Sequence, residues 1–371
     1  MYTKPLVVGV QQAGDDRATK TVKELLWDLG RNTGNMMFTE AILRSVKNAK
    51  LSSFGFDASD LEDRDCVIVA AANWINPYDD FGWLADKLET CALPIIVIGI
   101  GAQSGSNKSI PDVHPGTMRF LRLAADRGTS ISTRGTYSSE VLEHHGIKNS
   151  TPTGCPSLLL AGPAGPNLKL QYPLDRDAVC VHSTRHFFDV TADRLQRYFY
   201  EQAFKQNIDI LLQSELADFY FALGRLGNRE ILEQAAETVT RNYGCDDLEK
   251  VSNYLRTHGK VFFTYDEWID YMSTRSFTLG TRIHGTISSI IGGTPAVLIG
   301  HDTRTIEMAE IMNIPFLKST EIATDKDLDV LSFFDFEKKY KLMNGFRVYY
   351  DRFMQFFESN SIQSAHSQGG I

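Results

Sequence analysis

Long apolar runs are missing from this chain of 371 residues. No stretch approaches the roughly 20 consecutive apolar residues that a membrane helix needs, so no span is expected. An excess of basic residues is missing too. The 46 acidic and 38 basic residues leave a net charge of −8. That balance excludes the basic stripe of a general nucleic-acid surface, though not one locally basic pocket. Cysteine is scarce and unpatterned: Cys66, Cys91, Cys155, Cys180 and Cys245 form no CxxC pair and no ligand rhythm. Reduced, buried thiols are expected, with no metal centre. Cys155, in "TGCPSLLL", has no evident base partner. The apolar run in "MYTKPLVVGVQQAG" is too short for a signal-peptide core followed by a cleavage site, and it reads as a first strand. A cytoplasmic protein is expected.

What is present is ordinary in bulk and ordered in sequence. The 43% hydrophobic and 23% charged fractions are those of a globular protein, and the length favours two domains over one. Apolar runs alternate with amphipathic segments: "PLVVGVQQ" (5–12), "CVIVAAA" (66–72), "PIIVIGIGAQ" (94–103) and "SISTR" (130–134) read as strands with helices between them. A proline- and glycine-rich break, "AGPAGPNLKLQYP" (161–173), interrupts the rhythm. It then restarts with strands "AVCVHS" (178–183), "IDILLQS" (208–214), "KVFFTY" (260–265), "SFTLGT" (276–281) and "PAVLIG" (295–300). Near-continuous Val/Ile runs between helices indicate parallel sheets covered on both faces. The expected fold is α/β, with two doubly wound domains facing a cleft. The first covers 1–160, a linker 161–177 and the second 178–335. A long amphipathic helix over 336–360 should cross back over the junction, and the polar tail 361–371 should be disordered.

In doubly wound sheets, ligands sit at the carboxyl ends of the strands, beside helix N-termini that carry free N–H donors. "TLGTRIHGTISSIIGGTPAVLIGHDTRT" (278–305) puts Arg282 and His284 after one strand, and His301, Asp302 and Arg304 after the next. A helix of about two turns is expected over "TISSII", following a loop that holds His284. Arg185 and His186 follow the strand at 178–183, Arg134 follows "SIST", and Gln103 ends the third strand. Asn35 follows Gly34 at a helix start, a position where Asn also serves as a cap. Cations gathered at strand ends suit an anionic ligand. "GIGAQSGS" (99–106) spaces its glycines as GxGxxxG, but "NKSIPDVHP" follows instead of the helix that a dinucleotide fingerprint requires. No nicotinamide and no other cofactor is expected.

Taken in order, these segments resemble the polysaccharide pyruvyl transferase family. "RNTGNMMFTEAIL" is similar to the family's Asn-x-Gly-Asp followed by a helix. "DCVIVAAANWI" and "PIIVIGIGAQ" are similar to its strand pair. "ISTRGTYSSEVLEHHGIKNSTPTGCPSLLL" resembles its Arg-Asp-x-x-Ser…Gly…Asp-Pro block, and the 278–305 stretch its Arg-x-His-Gly block. The resemblance covers about residues 30–315. It implies a Rossmann-like, GT-B-like architecture, phosphoenolpyruvate as donor, and a sugar or lipid-linked saccharide as acceptor, in the making of an exopolysaccharide. It implies catalytic roles for His284 and Arg282 and substrate binding by Arg185. Arg304, His301, Asn35, Arg134 and Gln103 are the further binding candidates. Asp302 or Glu215 is a candidate carboxylate beside the reacting centre. The chain departs from the family pattern at Asn35, Gly135 and Cys155, each standing where an aspartate is common. A nucleotide-sugar glycosyltransferase or epimerase on the same fold is the alternative, as is an inactive binding protein.

Overall fold

The computed structural model describes residues 1–103, 109–169, 173–190 and 193–366, except the side chains of 336–340. Its strands in chain order are β1 (Pro5–Val8), β2 (Lys50–Ser52), β3 (Cys66–Ala70), β4 (Ile95–Ile98), β5 (Ile131–Thr133), β6 (Ser150–Pro152), β7 (Val179–His182), β8 (Asp209–Leu211), β9 (Gly259–Lys260), β10 (Phe277–Gly280), β11 (Ala296–Gly300) and β12 (Phe316–Lys318). Every pairing is parallel. One sheet runs β2-β1-β3-β4, a second β12-β11-β10-β7-β8-β9, and β5 pairs with β6. The bridge Ile100↔Thr133 continues the first sheet toward β5. Among the described residues no strand is shared between the first and second sheets.

β1, β3, β4, β7, β10 and β11 are buried along their whole length, as parallel strands covered on both faces must be. The strands that the apolar pattern misses are β2, β6 and β12. Each has three residues and lies at a sheet edge, where half-exposed residues such as those of "STP" leave no apolar run. Of "KVFFTY", Lys260 alone belongs to a strand, β9, while the Phe263 carbonyl accepts from Ala13 N at 3.0 Å. Phe263 packs edge-on against Phe219.

The second sheet winds outward from β7 in both directions, through β8 and β9 on one side and β10, β11 and β12 on the other. The gap between the carboxyl ends of β7 and β10 is therefore its switch point, the place where doubly wound sheets bind ligands. Thr281, Arg282 and His284 leave β10 there, beside His182 and Ser183 leaving β7.

The helices that matter for this gap are α1 (Val22–Asp28), α2 (Asn35–Ser45), α3 (Thr136–His144), α4 (Ile283–Ile291), α5 (Thr303–Met312) and α6 (Phe336–Ser359). Helix α6 crosses back as expected. Its Phe346, Tyr349, Phe353 and Phe356 share one core with Val7, Ile68 and Ile98 of the first sheet and Leu298, Met308 and Met312 beside the second. Each large apolar side chain buried there contributes roughly 1.5–3 kcal/mol. Tyr349 also donates its hydroxyl to the Cys155 carbonyl at 2.7 Å.

The tail differs from expectation over 361–366. Ile362 bridges Tyr2 and Ser364 bridges Val46, so this stretch is laid onto the first sheet's side by backbone pairing, although its side chains are mostly polar. Residues 367–371 lie outside the described residues, as do 170–172 of the expected linker and 104–108 of the glycine loop.

Candidate functional site

Helix α4 starts at Ile283, earlier than the sequence pattern indicates, so His284 lies in its first turn and not in a loop. Arg282 is the N-cap, and its N–H donates to His182 Nδ1 at 3.0 Å. This start aims the His284 ring out of the switch point toward the first sheet. There Cys155 Sγ lies 3.6 Å from His284 Nε2, and the Phe38 ring of α2 lies 5.9 Å away, centroid to centroid. The lack of a partner expected for Cys155 is thus corrected: the thiol and the imidazole meet across the two halves. Gly34 closes over the other ring nitrogen. A Cβ there would lie 2.5 Å from His284 Nδ1 and 2.9 Å from Gln213 Oε1, so this close approach requires glycine.

Three arginines surround this imidazole. Burial first, then Arg134, Arg304 and Arg282, hold the His284 pKa well below its ordinary value, so the ring is neutral near pH 7. Arg134, only 3% exposed, donates Nε to the Gly99 carbonyl at 2.8 Å and Nη1 to Asn73 Oδ1 at 3.0 Å. Its Nη2 is buried with no hydrogen-bond partner. Arg304, in the first turn of α5, donates Nη2 to Asp302 at 3.1 Å and leaves Nε buried and unpaired. His301 Nδ1, Thr33 Oγ1 and both ends of the Gln213 amide are also buried without partners. Buried polar groups are rarely left unpaired, and each costs about 1–3 kcal/mol.

Two other arginines are committed. Arg282 donates Nη2 to Glu215 Oε1 at 2.5 Å and to the Arg185 carbonyl at 2.7 Å, and Nε to the Ser183 carbonyl at 3.1 Å. It also bonds the Ser214 hydroxyl. It therefore stitches the ends of β7, β8 and β10 together. Burial by itself would raise the Glu215 pKa, but Arg282 and Arg185 outweigh it and keep the carboxylate ionised. Arg185 does not face the gap at all. Its side chain is fully buried, paired with Asp218 and stacked at 5.1 Å over the Tyr200 ring. The expectation of a ligand-facing Arg185 is corrected, and Glu215 is Arg282's partner and not a free carboxylate.

The remaining candidates divide. Asp302 caps α5, accepting from Thr305 N at 2.7 Å and Thr305 Oγ1 at 2.8 Å. His301 sits beside it, with Nε2 3.8 Å from Asp302 Oδ2. Asn35 turns away from the gap and donates Nδ2 to the Leu29 and Gly30 carbonyls at the end of α1. Gln103 is exposed. Gln213 and Glu307 belong to the site's surroundings and escape the sequence pattern. Gln213 follows β8 and was within reach of the same strand-end rule. Glu307, inside a helix, carries no such signal.

A family model described as polysaccharide pyruvyl transferase matches residues 32–303. None of the curated proteins compared with the sequence matches it. Among solved structures, a putative UDP-N-acetylglucosamine 2-epimerase from Listeria monocytogenes is 10% identical over 100% of both chains, with a TM-score of 0.44. HepE of Anabaena, solved with UDP and glucose, is 12% identical, with 97% of this chain and 99% of that chain covered and a TM-score of 0.41. UDP-N-acetylglucosamine 2-epimerase from Rickettsia bellii is 11% identical, with 96% and 98% covered and a TM-score of 0.38.

Proposed function

This chain belongs to the polysaccharide pyruvyl transferase family, and from that premise we propose that it moves the pyruvyl group of phosphoenolpyruvate onto two hydroxyls of a sugar, forming a ketal and releasing phosphate. The observation that supports the reading is the neutral His284 ringed by Arg134, Arg304 and Arg282, the first two of which each hold a buried guanidinium nitrogen without a partner. A donor with a phosphate and a carboxylate presents two planar or branched anions, each suited to guanidinium forks. Arg134 and Arg304 take these anions. The acceptor, a saccharide free or lipid-linked, enters from the side of the first sheet.

The ketal requires two new C–O bonds at the donor's C2 and loss of its C–O bond to phosphorus. The methylene carbon gains one proton and the phosphate leaves with the other, both from the two sugar hydroxyls. His284 carries one of these protons, work that typically gives ~10²–10⁴-fold. In the absence of an anion, burial together with the arginines keeps its ring neutral. The donor's negative charge offsets them, raises the ring's affinity for a proton, and so couples donor binding to proton uptake. The reading uses no metal and no nicotinamide.

The test is phosphate release from phosphoenolpyruvate, followed over a panel of sugar acceptors. Acceptor-dependent release is expected. Consumption of a UDP-sugar with no release from phosphoenolpyruvate would replace this reading by the nucleotide-sugar alternative.

A further inference from the structure

Gly135 is the N-cap of α3 and offers no side chain to the helix's first N–H groups. Those donors still need partners, and they find one on the far side of the seam. Glu307 of α5 accepts from Tyr137 N at 2.7 Å, Ser138 N at 3.3 Å and Ser138 Oγ at 2.7 Å. A Cβ at position 135 would lie 2.1 Å from Glu307 Cγ and 2.5 Å from its Oε2. The backbone of Gly135 is extended, so space and not conformation requires the glycine. The resemblance places an aspartate here, which would cap α3 locally. This chain has exchanged that local cap for one supplied by another helix.

The exchange joins two particular segments. Glu307 lies one turn beyond Arg304 on α5, and Arg134 immediately precedes the α3 cap. We propose that Glu307 is a positioning residue for donor binding: its link between α5 and α3 fixes the spacing of Arg134 and Arg304. The proposal rests on the donor-binding role given to those two arginines above.

Glu307→Ala, Gly135→Asp and the double variant separate capping from positioning when each is read by thermal unfolding and by titration with inorganic phosphate. Glu307→Ala uncaps α3 and frees α5, so it lowers both stability and phosphate affinity. Gly135→Asp alone puts a second carboxylate where Glu307 sits and displaces it. In the double variant the new aspartate caps α3 with nothing to displace, so the unfolding temperature returns toward wild type. Its phosphate affinity remains at least about threefold weaker, because misplaced binding groups lose affinity even when the fold is sound. Glu307→Gln, which keeps one accepting oxygen, should fall between wild type and Glu307→Ala in both readings. Recovery of both readings in the double variant would make Glu307 a cap only and overturn the positioning claim. If the wild type binds no phosphate, the arginine site itself is wrong and the proposal falls with it.

Discussion

Arg185 and Arg282 lie at the ends of β7, β8 and β10, and Arg134 and Arg304 lie on the seam in front of them. All four are arginines next to strand ends, yet they differ in what they hold. The first pair have carboxylates of their own, Asp218 and Glu215. Arg134 pairs with no carboxylate among the described residues, and Arg304 shares Asp302 with a helix cap. The difference teaches that strand-end position alone does not identify a ligand-binding arginine. A buried guanidinium matched by a protein carboxylate holds the scaffold even where, as in Arg185, its Nε is left without a partner; on the reading proposed above, Arg134 and Arg304 instead meet an anion.

The largest effect expected is at the group between the two pairs. His284→Ala should lower the turnover number by about 10²–10⁴ with little change in the donor's Michaelis constant, since proton transfer belongs to the transition state. Near-normal turnover in a folded variant would move the role to another residue, with His301 next to test. Arg185→Ala should instead act on the fold. It strands Asp218 without its cation, and urea denaturation should register a loss of about 3–5 kcal/mol. A stable variant with weakened donor binding would reverse the comparison.

Acidification gives a smaller, graded effect. Burial and Arg282 hold His182 down to about 3, and His284 is also held well below its ordinary value. Below about pH 6.5 the unfolded chain takes up protons that these folded histidines refuse. Stability is therefore lost as pH falls through that value, by up to about 1.4 kcal/mol per pH unit for each histidine. Above it the contribution is constant. Equal unfolding free energies at pH 7 and pH 5 would contradict the assignment. The smallest change concerns Cys155. Cys155→Asp puts a carboxylate beside His284 Nε2, which favours the imidazolium and should move the histidine limb of the pH–rate profile upward by about one unit. Cys155→Ser, with no charge, should leave it in place.

Much of this molecule is legible in its sequence, for identifiable reasons. β1, β3, β4, β7, β10 and β11 announce themselves because both faces are covered. β2, β6 and β12 do not, because an edge strand of three residues buries too little. Arg282 and His284 are found by the rule that ligands sit at strand ends. What that rule does not convey is partnership. Cys155 and His284 stand 129 positions apart, and no local spacing links two side chains that only folding brings together. The same holds for Glu307, which reaches α3 from another helix. Asn35 shows the converse, a residue with a plausible motif position whose amide is used locally.

The central claim is that Arg134 and Arg304, not Arg185 and Arg282, receive the donor. Calorimetric titration of phosphoenolpyruvate into wild type and Arg134→Lys tests it most directly, because the lysine keeps the charge and loses the fork. A charge-assisted bond to an anion contributes roughly 1.5–3 kcal/mol. The account predicts binding weakened by about tenfold or more in a variant of unchanged fold. Unchanged affinity would contradict it.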